Sequence, residues 1–106
     1  MKEVDLMDKT YSLSEIKTTL HPIFDAYGIR KAVLFGSYAK GEATDQSDVD
    51  LVIDCHQRGL KFYGIINAIE TGLQKECDVF RFSSIAADSP ISKEIDETGV
   101  IIYENI

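Results

Sequence analysis

The sequence predicts an α/β domain, a small sheet covered by helices. Two features carry that reading. Apolar residues at helical spacing alternate along the chain with short apolar runs of strand length, and nearly every changeover is marked by a cap residue, a glycine or a proline. At 106 residues and 44% apolar composition, the chain has material for one core, so residues 1–106 are read as one domain.

Leu13, Ile16, Leu20, Phe24 and Tyr27 recur at helical spacing, and Ser12 with Glu15 has the form of a capping box. A first helix is therefore expected from about Leu13 to Tyr27, ended by Gly28, with Pro22 as a point of kink or break. Lys31 to Phe35 (KAVLF) reads as a short buried strand that leaves through a Gly36-Ser37 turn. Residues 38–47 have the composition of a loop or short helix. Asp48 to Cys55 is the second strand, with Asp48, Asp50, Val52 and Asp54 on one face and Val49, Leu51 and Ile53 on the other. Phe62, Ile66, Ile69 and Leu73 mark a helix from about Leu60 to Lys75. Cys77 to Phe82 is a third strand with Asp78 embedded in it. Ser89-Pro90 opens a last helix, Gly99 ends it, and Val100 to Tyr103 is a closing strand.

Composition removes several classes of function. The net charge is −7 and the eleven basic residues are scattered along the sequence, a poor basis for holding long nucleic acid. Such a balance suits a small ligand brought in with metal ions, or a basic protein partner. No apolar run reaches the length of a bilayer span, and MKEVDLMDKT lacks the basic and apolar regions of a signal peptide, so the expected location is the cytoplasm and no membrane partner is expected. Cys55 and Cys77 form no CxxC and have no His at ligand spacing, which fits small core residues better than a disulfide or zinc site.

The chemistry concentrates in "LFGSYAKGEATDQSDVDLVID", residues 34–54. Carboxylates at i and i+2 of a strand point to one face about 6–7 Å apart at their bases, an arrangement costly to leave uncompensated. A divalent cation removes that cost, and hard carboxylate oxygens suit Mg2+ or Mn2+, whose remaining ligands are typically waters and substrate phosphates. Asp48 and Asp50 are thus candidate metal ligands, with Asp78 from the next strand completing a cluster able to hold two ions about 3.5–4 Å apart. Gly36 allows close backbone approach to a phosphate, and the Ser37 hydroxyl and neighbouring N–H groups can donate to it. A nucleoside triphosphate is the natural third party.

Phe35-Gly36-Ser37, then Asp48-Val49-Asp50-Leu51, then Cys77-Asp78-Val79 resembles the three-part pattern of the DNA polymerase beta-like nucleotidyltransferase superfamily. The longer string GSYAKGEATDQSDVDLVI is similar to its minimal nucleotidyltransferase (MNT) branch, including Gly41 and Ser47, and the resemblance runs from about residue 31 to 103. It implies a single minimal nucleotidyltransferase domain with a small mixed sheet flanked by helices. It also implies Mg2+-dependent transfer of AMP from ATP to an acceptor hydroxyl with release of pyrophosphate. On that resemblance Gly36 and Ser37 hold the triphosphate, Asp48 and Asp50 bind the metals, and Asp78 joins one metal and helps activate the hydroxyl. MNT proteins of this kind act as antitoxins of HEPN-domain toxins, some of them by adenylylating a toxin tyrosine, which implies a HEPN-type partner. Larger relatives carry extra substrate-binding domains for which this chain has no room, so the acceptor is expected to come from outside.

The other candidates have plainer readings. Asp54, at the strand end, reads as solvated, Glu42 and Asp45 as loop solvation, and His21 and His56 as structural or surface residues. Lys40 reads equally as a phosphate contact or a surface lysine, and Tyr38 equally as a substrate contact or a packing ring. A calcium loop starting at Asp45 fails because its sixth and twelfth positions are Asp50 and His56, and the P-loop spacing is absent. The rival from another class is an interaction protein that keeps the fold and silences its partner by occluding the partner's active site.

Overall fold

The computed structural model describes residues 10–105; the first nine residues, on which the expected lack of a signal sequence partly rests, and Ile106 lie outside the described residues. The element order is α1 (Leu13–Ala26), β1 (Lys31–Phe35), α2 (Ser37–Lys40), β2 (Val49–Asp54), α3 (Leu60–Leu73), β3 (Cys77–Arg81), α4 (Pro90–Thr98) and β4 (Val100–Glu104), with a 3-10 turn at Phe82–Ser84.

The four strands form one mixed sheet in the order β3-β2-β1-β4. β1 runs antiparallel to both β2 and β4, whereas β2 and β3 are parallel and are joined through α3 as a βαβ unit. The alternation of β2 assigns its two faces. Val49, Leu51 and Ile53 point into the main core with Ile16, Leu20 and Phe24 of α1 and Ile65, Ile69 and Leu73 of α3. Val52 points the other way, where it joins Val33 and Phe35 under Ile91 and Ile95 of α4. Asp50 lies on this second, thinner side.

Local signals set most boundaries. Ser12 accepts from the Glu15 N–H at 3.1 Å while the Glu15 carboxylate accepts from the Ser12 N–H at 2.8 Å, closing the capping box. Pro22 lies within a continuous α1 on its exposed side, so the helix passes through the expected break. Ser89 caps α4 by accepting from the Ser92 N–H, with Pro90 in the first turn. Helix α3 stops at Leu73 because Gln74 turns into the left-handed region (φ 55°), two residues before the expected end at Lys75. Its buried stripe is Ile65, Ile69 and Leu73, with Phe62 and Ile66 half-buried. The stripe is rotated from the expected one, and Phe62 packs beside the main core with its ring 5.8 Å from the Arg81 guanidinium. β3 ends at Arg81 and the chain coils into the 3-10 turn where Phe82 was expected to continue the strand. Cys55 and Cys77 are free, buried thiols, as expected of small core residues. Among the described residues no helix is long and apolar enough to cross a membrane.

Candidate active site

Three elements meet at one end of the sheet. β1 runs toward it and β2 and β3 start from it, so Phe35 pairs with Asp50, and Asp50 pairs in turn with Asp78. The chain leaves β1 at Gly36 with φ 78° and ψ −150°, a left-handed conformation that side-chain-bearing residues rarely adopt. Glycine is required there for a second reason: a β-carbon on Gly36 would fall on the Asp50 carboxylate. The turn and the acid are thus built against each other. Ser37, half-buried, opens the short helix α2, which Gly41 ends in the left-handed region.

Asp50 is half-buried, while Asp48 and Asp78 are exposed. Burial, the facing charges of Asp78 and Glu94, a side-chain hydrogen bond with Asp78 and the charge of Asp48 push the Asp50 carboxyl up to about 6. Burial and the neighbouring acids thus disfavour the ionised Asp50 carboxyl, and a bound cation would relieve that cost.

The expected three-carboxylate cluster is only partly drawn together. Asp50 and Asp78 are adjacent, but Asp48 precedes β2, which begins at Val49 rather than Asp48, and among the described residues no three such side chains close on one point. The donors are of the right kind for a hard divalent cation, all oxygen and all acidic, with two of them preformed and the rest to be supplied by Asp48, water or ligand phosphate. That fit is chemical. Charge neutralisation and alignment of a phosphate chain are what such a site can offer a reaction.

Glu94 and Thr98 were not singled out from sequence. The Gly36 N–H donates to Thr98 Oγ1 at 3.0 Å, and the same hydroxyl donates to the Glu94 carbonyl at 2.8 Å, so α4 is tied to the glycine turn. A signal existed: Ile91, Glu94, Ile95 and Thr98 fall on one helical stripe, and Ile91 and Ile95 pack on Val33, Phe35 and Val52. Glu94 therefore faces the acids from the helix that roofs them.

The remaining candidates sort plainly. Lys40 Nζ lies 3.5 Å from Glu42 on the surface, and Tyr38 is buried in the main core, a packing ring. The Asp45 carbonyl accepts from Lys75 Nζ at 3.0 Å, so this loop residue is held through its backbone. Asp54 lies 3.9 Å from Arg30 Nε at the opposite end of β2. His21 lies 3.4 Å from Asp25 and edge-on to Tyr103 on the surface.

Comparison with known proteins gives a consistent account of this geometry. The family profile described as "Polymerase beta, Nucleotidyltransferase" matches residues 18–105. A relative from Methanocaldococcus jannaschii, named as a candidate protein adenylyltransferase, is 31% identical over 99 residues, covering 86% of this chain and 98% of its own. The protein adenylyltransferase MntA of Thermococcus cleftensis is 32% identical over 80 residues, covering 70% of this chain and 81% of its own. The fold matches a chain of a toxin-antitoxin crystal structure with AMP-PNP (TM-score 0.69, 14% identity, 84% of this chain and 73% of that one). It also matches a chain of a tri-AMPylated Shewanella oneidensis HEPN toxin in complex with its MNT antitoxin (TM-score 0.66, 11% identity, 88% and 73%). With the glycine turn and the paired acids of adjacent strands inside the matched residues 18–105, the chain belongs to the polymerase beta nucleotidyltransferase family, in its MNT branch.

Proposed function

We propose that this protein transfers AMP from ATP to a hydroxyl group of a HEPN-type toxin and thereby acts as that toxin's antitoxin. The observation that carries the reading is the contact between the Gly36 turn and the Asp50–Asp78 pair, which sets a phosphate-accepting backbone against two acids. Relatives of this size named as protein adenylyltransferases, and the likeness to MNT antitoxin structures, support the choice of nucleotide and partner.

In this reading Gly36, whose N–H is taken by Thr98, lets the chain approach the triphosphate closely, and the Ser37 N–H and hydroxyl donate to it in line with the acids. Asp48, Asp50 and Asp78 would hold Mg2+, which would supply neutralisation of the phosphate charge. The acceptor oxygen forms a bond to the α-phosphorus, the bond from that phosphorus to the bridging oxygen breaks, and pyrophosphate leaves with the bonding electrons. Asp78, the more exposed of the adjacent pair, takes the hydroxyl proton and passes it to water. The Asp50 carboxyl, roofed by α4, fixes the position of the pair.

Intact mass of a HEPN partner incubated with this protein, ATP and Mg2+ tests the proposal. Increments of AMP that disappear with the Asp48→Ala, Asp50→Ala double variant and under EDTA are the expected result. An unmodified partner that is still silenced within a stable complex would overturn it and leave occlusion as the activity.

A further inference from the structure

The chain has three arginines, Arg30, Arg58 and Arg81, far apart in sequence, and all three line one cavity of about 260 Å³. For the arginines, the scatter along the sequence is undone by the fold. Arg30 precedes β1, Arg58 lies in the loop between β2 and α3, and Arg81 ends β3, so the cavity sits where the parallel strands β2 and β3 finish. Crevices outside the carboxyl ends of parallel strands are where open α/β sheets bind ligands. The candidate active site is at the opposite end: Asp50 and Asp54 are four residues apart on β2, about 13 Å at strand rise.

The charges in this cavity are unevenly matched. Asp54 is the single carboxylate in the lining, and it lies 3.9 Å from Arg30. Neither Arg58 nor Arg81 has a carboxylate within salt-bridge distance among the described residues. Arg81 is the most constrained. Its guanidinium lies 5.8 Å from the centre of the Phe62 ring, and its Nε is buried without a hydrogen-bond partner among the described residues. A buried donor left unmatched costs about 1–3 kcal/mol, more when charged, so in an otherwise acidic chain this placement is expensive unless an acceptor completes it. His56 and Ser83 add further polar groups to the lining.

We propose that this cavity is an anion site for one phosphate group, held by Arg58 and Arg81 with Arg30 completing the charge. The rigid donor fork of arginine matches phosphate oxygens, and the volume lies below the range of about 300–1,000 Å³ typical of drug-sized ligand pockets, so it receives a phosphate group rather than a whole nucleotide. The site stands independently of the adenylyl transfer proposed above.

Calorimetric titration of inorganic phosphate into the full chain, in EDTA and at constant ionic strength, tests it. The expected result is saturable binding of one equivalent with a dissociation constant on the order of 1 mM or tighter. Arg58→Gln, an exposed loop change, weakens it at least tenfold with an unchanged melting profile, and Arg81→Lys, which keeps the charge but loses the fork, does the same. The Asp48→Asn, Asp50→Asn variant binds phosphate within twofold of the unaltered chain. Repeating the titration with AMP separates the sources: tighter binding of AMP that is still lost in Arg58→Gln assigns a nucleoside phosphate, and equal binding assigns free phosphate. Absence of saturation, or binding indifferent to Arg58→Gln and Arg81→Lys, would overturn the proposal.

Discussion

At the scale of single residues, Asp50 and Gly36 define each other. Replacing Gly36 by alanine puts a methyl group on the Asp50 carboxylate and forces a left-handed backbone on a residue that disfavours it. Gly36→Ala is expected to cost about 1–3 kcal/mol in chemical denaturation and to lower AMP transfer at least tenfold, because the acid must move. Asp50 also predicts a pH signature. Its folded-state value near 6 exceeds the ordinary 3.8, so the unfolded chain gives up this proton at lower pH than the folded one. In EDTA the stability contribution of Asp50 therefore falls as pH rises from about 4 to about 6 and levels off above. Screening at this half-open site limits the loss to about 1 kcal/mol. The difference in denaturation midpoint between the unaltered chain and Asp50→Asn, followed across that window, measures it; a difference that stays flat would contradict the assignment. Gly36 and Asp50 could be singled out in the sequence because each sits in a short local pattern, a strand-ending Gly-Ser and an alternating Asp-Val-Asp. Glu94 was not, since its approach to Asp50 exists only once α4 has docked.

At the scale of elements, the Thr98 hydroxyl joins two pieces of structure that are far apart in the chain. Thr98→Val removes the acceptor of the Gly36 N–H while keeping the shape, which leaves a half-buried amide unmatched. A loss of about 1–2 kcal/mol is expected, together with faster hydrogen exchange at Gly36, and Thr98→Ser restores both. The helix periods, the capping box and the Ser89-Pro90 start could be read from sequence because each depends on neighbours within a turn. The bounds of β2 and β3 could not be read to the residue, because partner strands decide where a ladder ends. The burial stripe of α3 was misplaced for a related reason: Ile65 and Ile66 are equally apolar, and only the position of the sheet chooses between them.

At the scale of the molecule, the two cores are unequal. One face of the sheet is covered by α1 and α3 and contains both cysteines, whereas the other is covered by α4 over a few side chains. Burial, with Glu70, Asp48 and Asp78 nearby, raises the Cys77 thiol to about 12, and Cys55 is buried in the same core. Neither thiol is expected to react with a disulfide reagent at pH 8 in the folded state, and both react together when denaturant opens the main core. Reaction of one thiol in the native protein would show that the main face opens independently. The strand order β3-β2-β1-β4 was not legible, since it follows from which long-range pairings bury most surface, yet it is what carries Asp78 beside Asp50.

The same order has a further consequence. With Asp50 and Asp78 where β1 ends and every arginine where β2 and β3 end, the two ends of the central strands carry opposite local charge within a chain of net charge −7. A neighbour bearing positive charge is turned toward the Asp50 end before contact, and dissolved salt weakens that orienting torque within a Debye length of about 10 Å at 0.1 M. Encounter geometry is thus selected at a distance by the sheet itself, ahead of any side chain that touches.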